Sequence, residues 1–166
     1  MESITQIIAE WIGKIGMFIL FPIYTLYILW RNNWKVLHSI SDSWYILKER
    51  NKNEEILFTI FTYVLGIGLL LQTYQSPLFF FGGMGLFWVG TQTQFREKSI
   101  KGTIHYLGAV LAIVLSLIGL LLNGVYIPLI IMCIGTPIMY YTKIKNFIFW
   151  VEILAFITII IGLFNM

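Results

Sequence analysis

Six apolar runs, each near the length of a membrane crossing, divide this chain, and its basic residues fall almost entirely in alternate gaps between them. A bilayer core about 30 Å thick takes roughly 20 helical residues at a rise of about 1.5 Å, somewhat fewer where the bilayer thins. The runs cover 12–30, 56–73, 77–91, 103–122, 126–142 and 147–164. With 58% hydrophobic and 11% charged residues among 166, the chain holds more apolar material than one soluble core of that size buries. That balance excludes a soluble enzyme domain, a disulfide scaffold, a disordered tail and a collagen-like rod. The expected fold is all-α: one transmembrane domain over 1–166, an integral membrane bundle of about six helices.

The third run is short and carries Gly82, Gly83, Gly85 and Gly90, so a broken or re-entrant helix is its alternative to a full crossing. Ahead of the first run, Ile4, Ile7, Ile8, Trp11, Ile12 and Ile15 follow helical spacing, with Thr5, Gln6, Glu10 and Lys14 opposite. This pattern predicts an interfacial helix leading into the first crossing, with Glu10 and Lys14 as an i, i+4 pair at a wet surface. The connection over 31–55 is longer than a compact bundle needs, and predicts a surface helix or a dip toward the membrane.

Arg31, Lys35, Lys48, Arg50 and Lys52 follow the first run; Arg96, Lys98 and Lys101 follow the third; Lys143 and Lys145 follow the fifth. All lie on one side, which the positive-inside rule makes cytoplasmic, leaving both termini outside. Trp30, Trp34, Trp44, Tyr74, Tyr126, Tyr141 and Trp150 fit belts at the two interfaces. The formal charge of +3 sits in these short blocks and not in an aromatic-laced stripe, so nucleic acid is not an expected partner. The single cysteine, Cys133, lies inside an apolar run and reads as a small buried hydrophobe.

Small residues mark packed faces in membrane helices. Gly108, Ala112 and Ser116 form such a stripe, and His105 stands one turn before Gly108 on it; Glu152, Ala155 and Gly162 share a face of the sixth run, and Thr59, Thr62 and Gly66 one of the second. A carboxylate as deep as Glu152 needs a partner, water or a proton. His105, Glu152, Gln92, Gln94, Glu54 and Glu55 all belong to the cytoplasmic half, with His38, Ser39, Ser41, Asp42, Ser43 and Tyr45 on the long connection. One polar cluster is expected there, with His105 and Glu152 as its inward pair and His38 and Ser43 as interfacial loop residues.

The order Ile12-Gly13 with Gly16, then Pro22, then Ser39-Ile40-Ser41-Asp42 with Trp44-Tyr45, then His105 with Ala109, then Trp150, Glu152 and Ala155 resembles a family of small uncharacterised bacterial multi-pass membrane proteins. The match covers most of the chain. That family is held to be distantly similar to the alkaline ceramidase and adiponectin-receptor class of membrane zinc hydrolases. The resemblance implies a bacterial cytoplasmic membrane and, through that kinship, hydrolysis of lipid or amphiphilic substrates. This chain departs from the zinc class in two ways: no His-x-x-x-His pair occurs late in the chain, since no histidine follows His105, and there are six runs where seven spans are typical.

Three functions stay open. A hydrolase at the cytoplasmic leaflet would draw on Ser41, Asp42, His105 and Glu152 as catalytic residues, either as a Ser-His-acid set or around a zinc ion for which His38, His105 and Asp42 or Glu152 supply three ligands at most. A small transporter would use Pro137 after Gly135 to kink the fifth run, irregular backbone in the glycine-rich third, and Glu152 as its coupling carboxylate. A noncatalytic scaffold or sensor would pair His105 with Glu152 to hold helices in register. Expected partners are membrane lipids and a second copy or another membrane protein, although no two glycines stand as Gly-x-x-x-Gly.

Overall fold

The computed structural model describes residues 3–51, 53–96 and 100–166. They form seven α-helices: α1 Ile4–Arg31, α2 Ser43–Arg50, α3 Ile56–Leu70, α4 Pro77–Thr91, α5 Ile100–Leu122, α6 Ile127–Tyr141 and α7 Phe147–Phe164, with no strand among the described residues. Helices α1, α5 and α7 are long and apolar enough to cross a membrane; α3, α4 and α6 are apolar but shorter. Helix α4 packs between α3 and α5, α1 lies against α3, and α7 closes on α5 and α1. Helix α6 rests mainly on α7.

The glycines of the third run set the spacing of the central three helices. A Cβ on Gly83 would stand 2.7 Å from the Gly66 carbonyl oxygen of α3, and one on Gly85 would stand 2.5 Å from that of Gly108 on α5. Backbone therefore meets backbone on both sides of α4, the close approach that small residues permit. Contrary to the alternative of a broken segment, α4 is one continuous helix, begun by Pro77 with the Ser76 hydroxyl accepting from the Leu78 N–H. The glycines serve contact and not irregularity. Helix α6 likewise runs unbroken through Pro137.

Helix α1 corrects the expectation for the N-terminus. The Ser3 hydroxyl accepts from the Gln6 N–H at 3.2 Å and the Gln6 side chain accepts from the Ser3 N–H at 2.9 Å, a reciprocal cap that starts one helix of 28 residues. Among the described residues no separate helix precedes it. Glu10 and Lys14 are not at a wet surface: both are buried, at 7% each, while Ile8 and Ile12 are exposed on the other side of the helix. The polar partners lie in the protein. Gln72 Nε2 donates to the Glu10 carbonyl at 3.0 Å, and Gln75 Nε2 donates to the Glu10 carboxylate at 3.0 Å.

The core is aromatic and aliphatic, with Phe58, Phe61, Phe79 and Phe149 closed off from solvent and the Tyr24 and Phe61 rings stacked at 3.9 Å. The α5 stripe His105, Gly108, Ala112 and Ser116 faces inward, as its spacing predicts. The outer surface is largely Ile, Leu, Phe and Trp. Cys133 belongs to that outer surface: it is exposed on α6, not buried, on a helix that rests mainly on α7.

Candidate functional site

The long connection builds the site. After α1, Asn33 and Trp34 take left-handed backbone angles (φ 53° and 59°), and the Trp34 N–H donates back to the Leu29 carbonyl at 2.7 Å, turning the chain into the bundle end. The following segment lies along the first turns of α7. Asn146 Nδ2 donates to the Val36 carbonyl at 2.7 Å, the Phe149 N–H to the His38 carbonyl at 2.9 Å, and the Ile40 N–H to Glu152 Oε2 at 2.5 Å. The Phe149 N–H is one of the donors that a helix start leaves without an internal partner, so the connection caps α7 as it passes.

A 3₁₀ turn over Ile40–Asp42 follows, with the Ser39 hydroxyl accepting from the Asp42 N–H at 3.2 Å, and leads into α2. Ile40, Trp44 and Leu47 are buried, so the connection dips into the protein and plugs the end of the bundle. Two expectations are corrected. Trp44 is core, not belt, and Ser43 is fully buried with its hydroxyl 2.6 Å from that of Tyr24. Apolar α2 positions and that hydrogen bond compensate for burying the polar groups.

His105 is only 2% exposed and is held at both ring nitrogens: Nδ1 is 2.9 Å from the Gln92 carbonyl oxygen, and Nε2 is 3.0 Å from Ser41 Oγ. A carbonyl only accepts, so Nδ1 carries the proton; in the neutral ring Nε2 then accepts, and the Ser41 hydroxyl donates. Phe95 stacks on the imidazole at 4.4 Å with a 17° tilt. Gln92 is the residue that ends α4, so its carbonyl is free to take this role.

His105 and Glu152 do not form the expected pair. Glu152 accepts from Ile40, His105 engages Ser41, and the two are linked only through the Ile40-Ser41 backbone. Ser41 and Glu152 nevertheless line one small cavity of about 30 Å³, otherwise apolar, walled by Leu86, Ala109, Ala112 and Phe156 among others. That volume admits about one water molecule. Asp42 is not among the residues that line it: Arg96 donates to its carboxylate from Nε at 3.1 Å and Nη2 at 2.6 Å. The Arg96 N–H also donates to the Tyr45 hydroxyl at 3.0 Å, and the guanidinium carbon sits 4.3 Å from the Tyr45 ring centre.

The three-ligand zinc set that the hydrolase reading offers as one alternative does not assemble among the described residues. Among the described residues, no group of three His, Cys, Asp or Glu side chains is placed to hold a metal ion. His38 is exposed and contributes its carbonyl to α7, Asp42 is engaged by Arg96, and both nitrogens of His105 are occupied. The residues present do not fit that ion.

Elsewhere at this end, Glu54 accepts from Arg31 Nε at 2.8 Å and from the Tyr27 hydroxyl at 3.0 Å, with a second Arg31 contact through Nη2. The Arg31 hydrogen bonds hold the Glu54 carboxyl below the usual carboxylate range. Three contributors to the site escape sequence reasoning. The Gln92 carbonyl is backbone and leaves no side-chain signal, Phe95 reads as one more aromatic, and Arg96 reads only as a topology charge.

Set against protein-family models, curated proteins and solved structures, the chain matches none.

Proposed function

We propose that this is a six-span protein of a bacterial cytoplasmic membrane, basic loops inside and both termini outside, that hydrolyses an ester or amide of an amphiphilic substrate with Ser41 as nucleophile and His105 as base. The observation that carries this reading is the Ser41–His105 hydrogen bond at 3.0 Å, with the tautomer set by the Gln92 carbonyl. That is the arrangement in which a serine hydroxyl can pass its proton to an imidazole as it attacks a carbonyl carbon. A backbone carbonyl here stands in the orienting position that a carboxylate holds in the familiar triad. Collapse of the tetrahedral adduct returns the proton from Nε2 to the leaving oxygen or nitrogen and leaves an acyl-serine. Glu152, across the small cavity, is the group to hold the water that releases it.

The apolar outer surface and the long apolar helices support the membrane setting. Kinship with the alkaline ceramidase and adiponectin-receptor class is part of the proposal for location and substrate alone; activation of the nucleophile falls to His105 and not to zinc. A transporter draws less support, because α4 and α6 are continuous helices without the unwound backbone it would need.

The test is covalent labelling of detergent-purified protein by a fluorophosphonate probe. Wild type is expected to label at Ser41, Ser41→Ala to lose the label, and His105→Ala to label about a hundredfold more slowly. If folded wild type does not label, the hydrolase is wrong and the scaffold reading replaces it, with the same bonds registering the connection against α5 and α7.

A further inference from the structure

A second property of this site concerns what its substrate carries. Arg96 brings a guanidinium beside the Ser41 turn, bound to the neighbouring residue Asp42, whose side chain is 5% exposed while that of Arg96 is 57% exposed. Two of its five N–H donors engage Asp42; the other three have no partner among the described residues. The group is also held in place, by its backbone N–H on Tyr45 and by the Tyr45 ring beneath it. A fixed, outward guanidinium whose further donors have no partner among the described residues matches a phosphate or carboxylate, which takes two parallel N–H bonds. Lys101, exposed one turn before His105 on α5, adds charge of the same sign, so that Arg96, Asp42 and Lys101 together carry a net charge of one positive unit.

We infer that the Ser41 site takes an anionic amphiphile, its phosphate or carboxylate received by Arg96. The inference rests on the hydrolase reading for the role of Ser41, but the binding it predicts needs no turnover. An anion in a lipid headgroup and one in a water-soluble phosphate share this chemistry, so the experiment separates them.

Thermal stabilisation of the full-length protein in neutral detergent is measured against short-chain phosphatidylglycerol, phosphatidylcholine of the same chain length, and glycerol phosphate. Wild type is expected to bind phosphatidylglycerol about tenfold more tightly than phosphatidylcholine, as one charge-assisted bidentate contact allows. Arg96→Gln is expected to abolish that preference, while Lys145→Gln, which removes an equal charge at the α6–α7 turn, and Ser41→Ala keep it. Should Arg96→Gln fail to fold, Asp42→Asn carries the test: it frees the guanidinium and is expected to strengthen anionic binding. Equal binding of the two lipids, a preference that survives Arg96→Gln, or no gain in Asp42→Asn would overturn the inference. Stabilisation by glycerol phosphate as strong as by phosphatidylglycerol would overturn the amphiphile and leave a soluble anion. A preference retained in protein that no fluorophosphonate labels would refute the hydrolase while sparing the anion site.

Discussion

The backbone N–H of Ile40 donates to the carboxylate of Glu152 across 112 positions of sequence, and this bond joins the plug formed by the long connection to the second turn of α7. Among the described residues neither group makes another hydrogen bond. Replacing Glu152 by Leu removes the acceptor and strands the N–H, which is expected to cost about 1–3 kcal/mol of stability. Glu152→Gln keeps an acceptor oxygen and is expected to lose less than half as much. Chemical or thermal unfolding in detergent checks the order; equal losses would show that charge and not acceptance matters there.

Two glycines are expected to respond in opposite ways. Gly85→Ala forces a Cβ to within 2.5 Å of the Gly108 carbonyl oxygen, where both partners are backbone and cannot yield. A loss of about 1–3 kcal/mol follows, with helices pushed apart. Gly16→Ala meets nothing within 4 Å. Inside a helix that change gains about 0.5–1 kcal/mol. Melting temperatures of the two variants moving in the same direction would contradict the packing described for α4.

The Arg31–Glu54 contact gives a pH signature. Because the folded Glu54 carboxyl is held below its usual range, its stabilising contribution is fully present above the unfolded value, about 4.3, and is lost as pH falls through the lowered folded value. Wild type is therefore expected to exceed Glu54→Gln in melting temperature at neutral pH, with the gap closing below about pH 4. A gap independent of pH would assign the effect to the shape of the side chain.

Orientation can be read by single-cysteine labelling in a Cys133→Ser background. A cysteine replacing Lys145 is expected to react with a membrane-impermeant maleimide only after the cell is opened, and one replacing Asn123 in intact cells. The reverse pattern would invert the topology.

Much of the helix layout is legible because apolar length and punctuation are local properties. The third and sixth runs coincide with α4 and α7, and Pro77 starts α4 where a helix tolerates proline. The α5 stripe is legible for the same reason, since spacing alone puts His105 and Gly108 on one face. What stays hidden depends on partners distant in sequence. Nothing near Glu10 shows that Gln72 and Gln75 will receive it, so its polar face reads as wet when it is inward. Ser41 and His105 are each visible as candidates, yet their contact depends on Asn33 and Trp34 reversing the chain, in a left-handed conformation that asparagine adopts readily and tryptophan seldom does. The His105–Glu152 pairing fails because the plug comes between them.

Helices α4 and α6 have the same length, 15 residues, but opposite surroundings. Helix α4 is wedged on two sides at backbone distance, and α6 has Pro128 as its only buried residue. Their latitude for sequence drift therefore differs. Most positions of α6 can exchange one apolar residue for another, whereas Gly83 and Gly85 cannot add even a methyl group without moving a neighbouring main chain. In a collection of randomised variants that still reach the membrane folded, α6 would be rewritten freely and the centre of α4 would come back almost letter for letter.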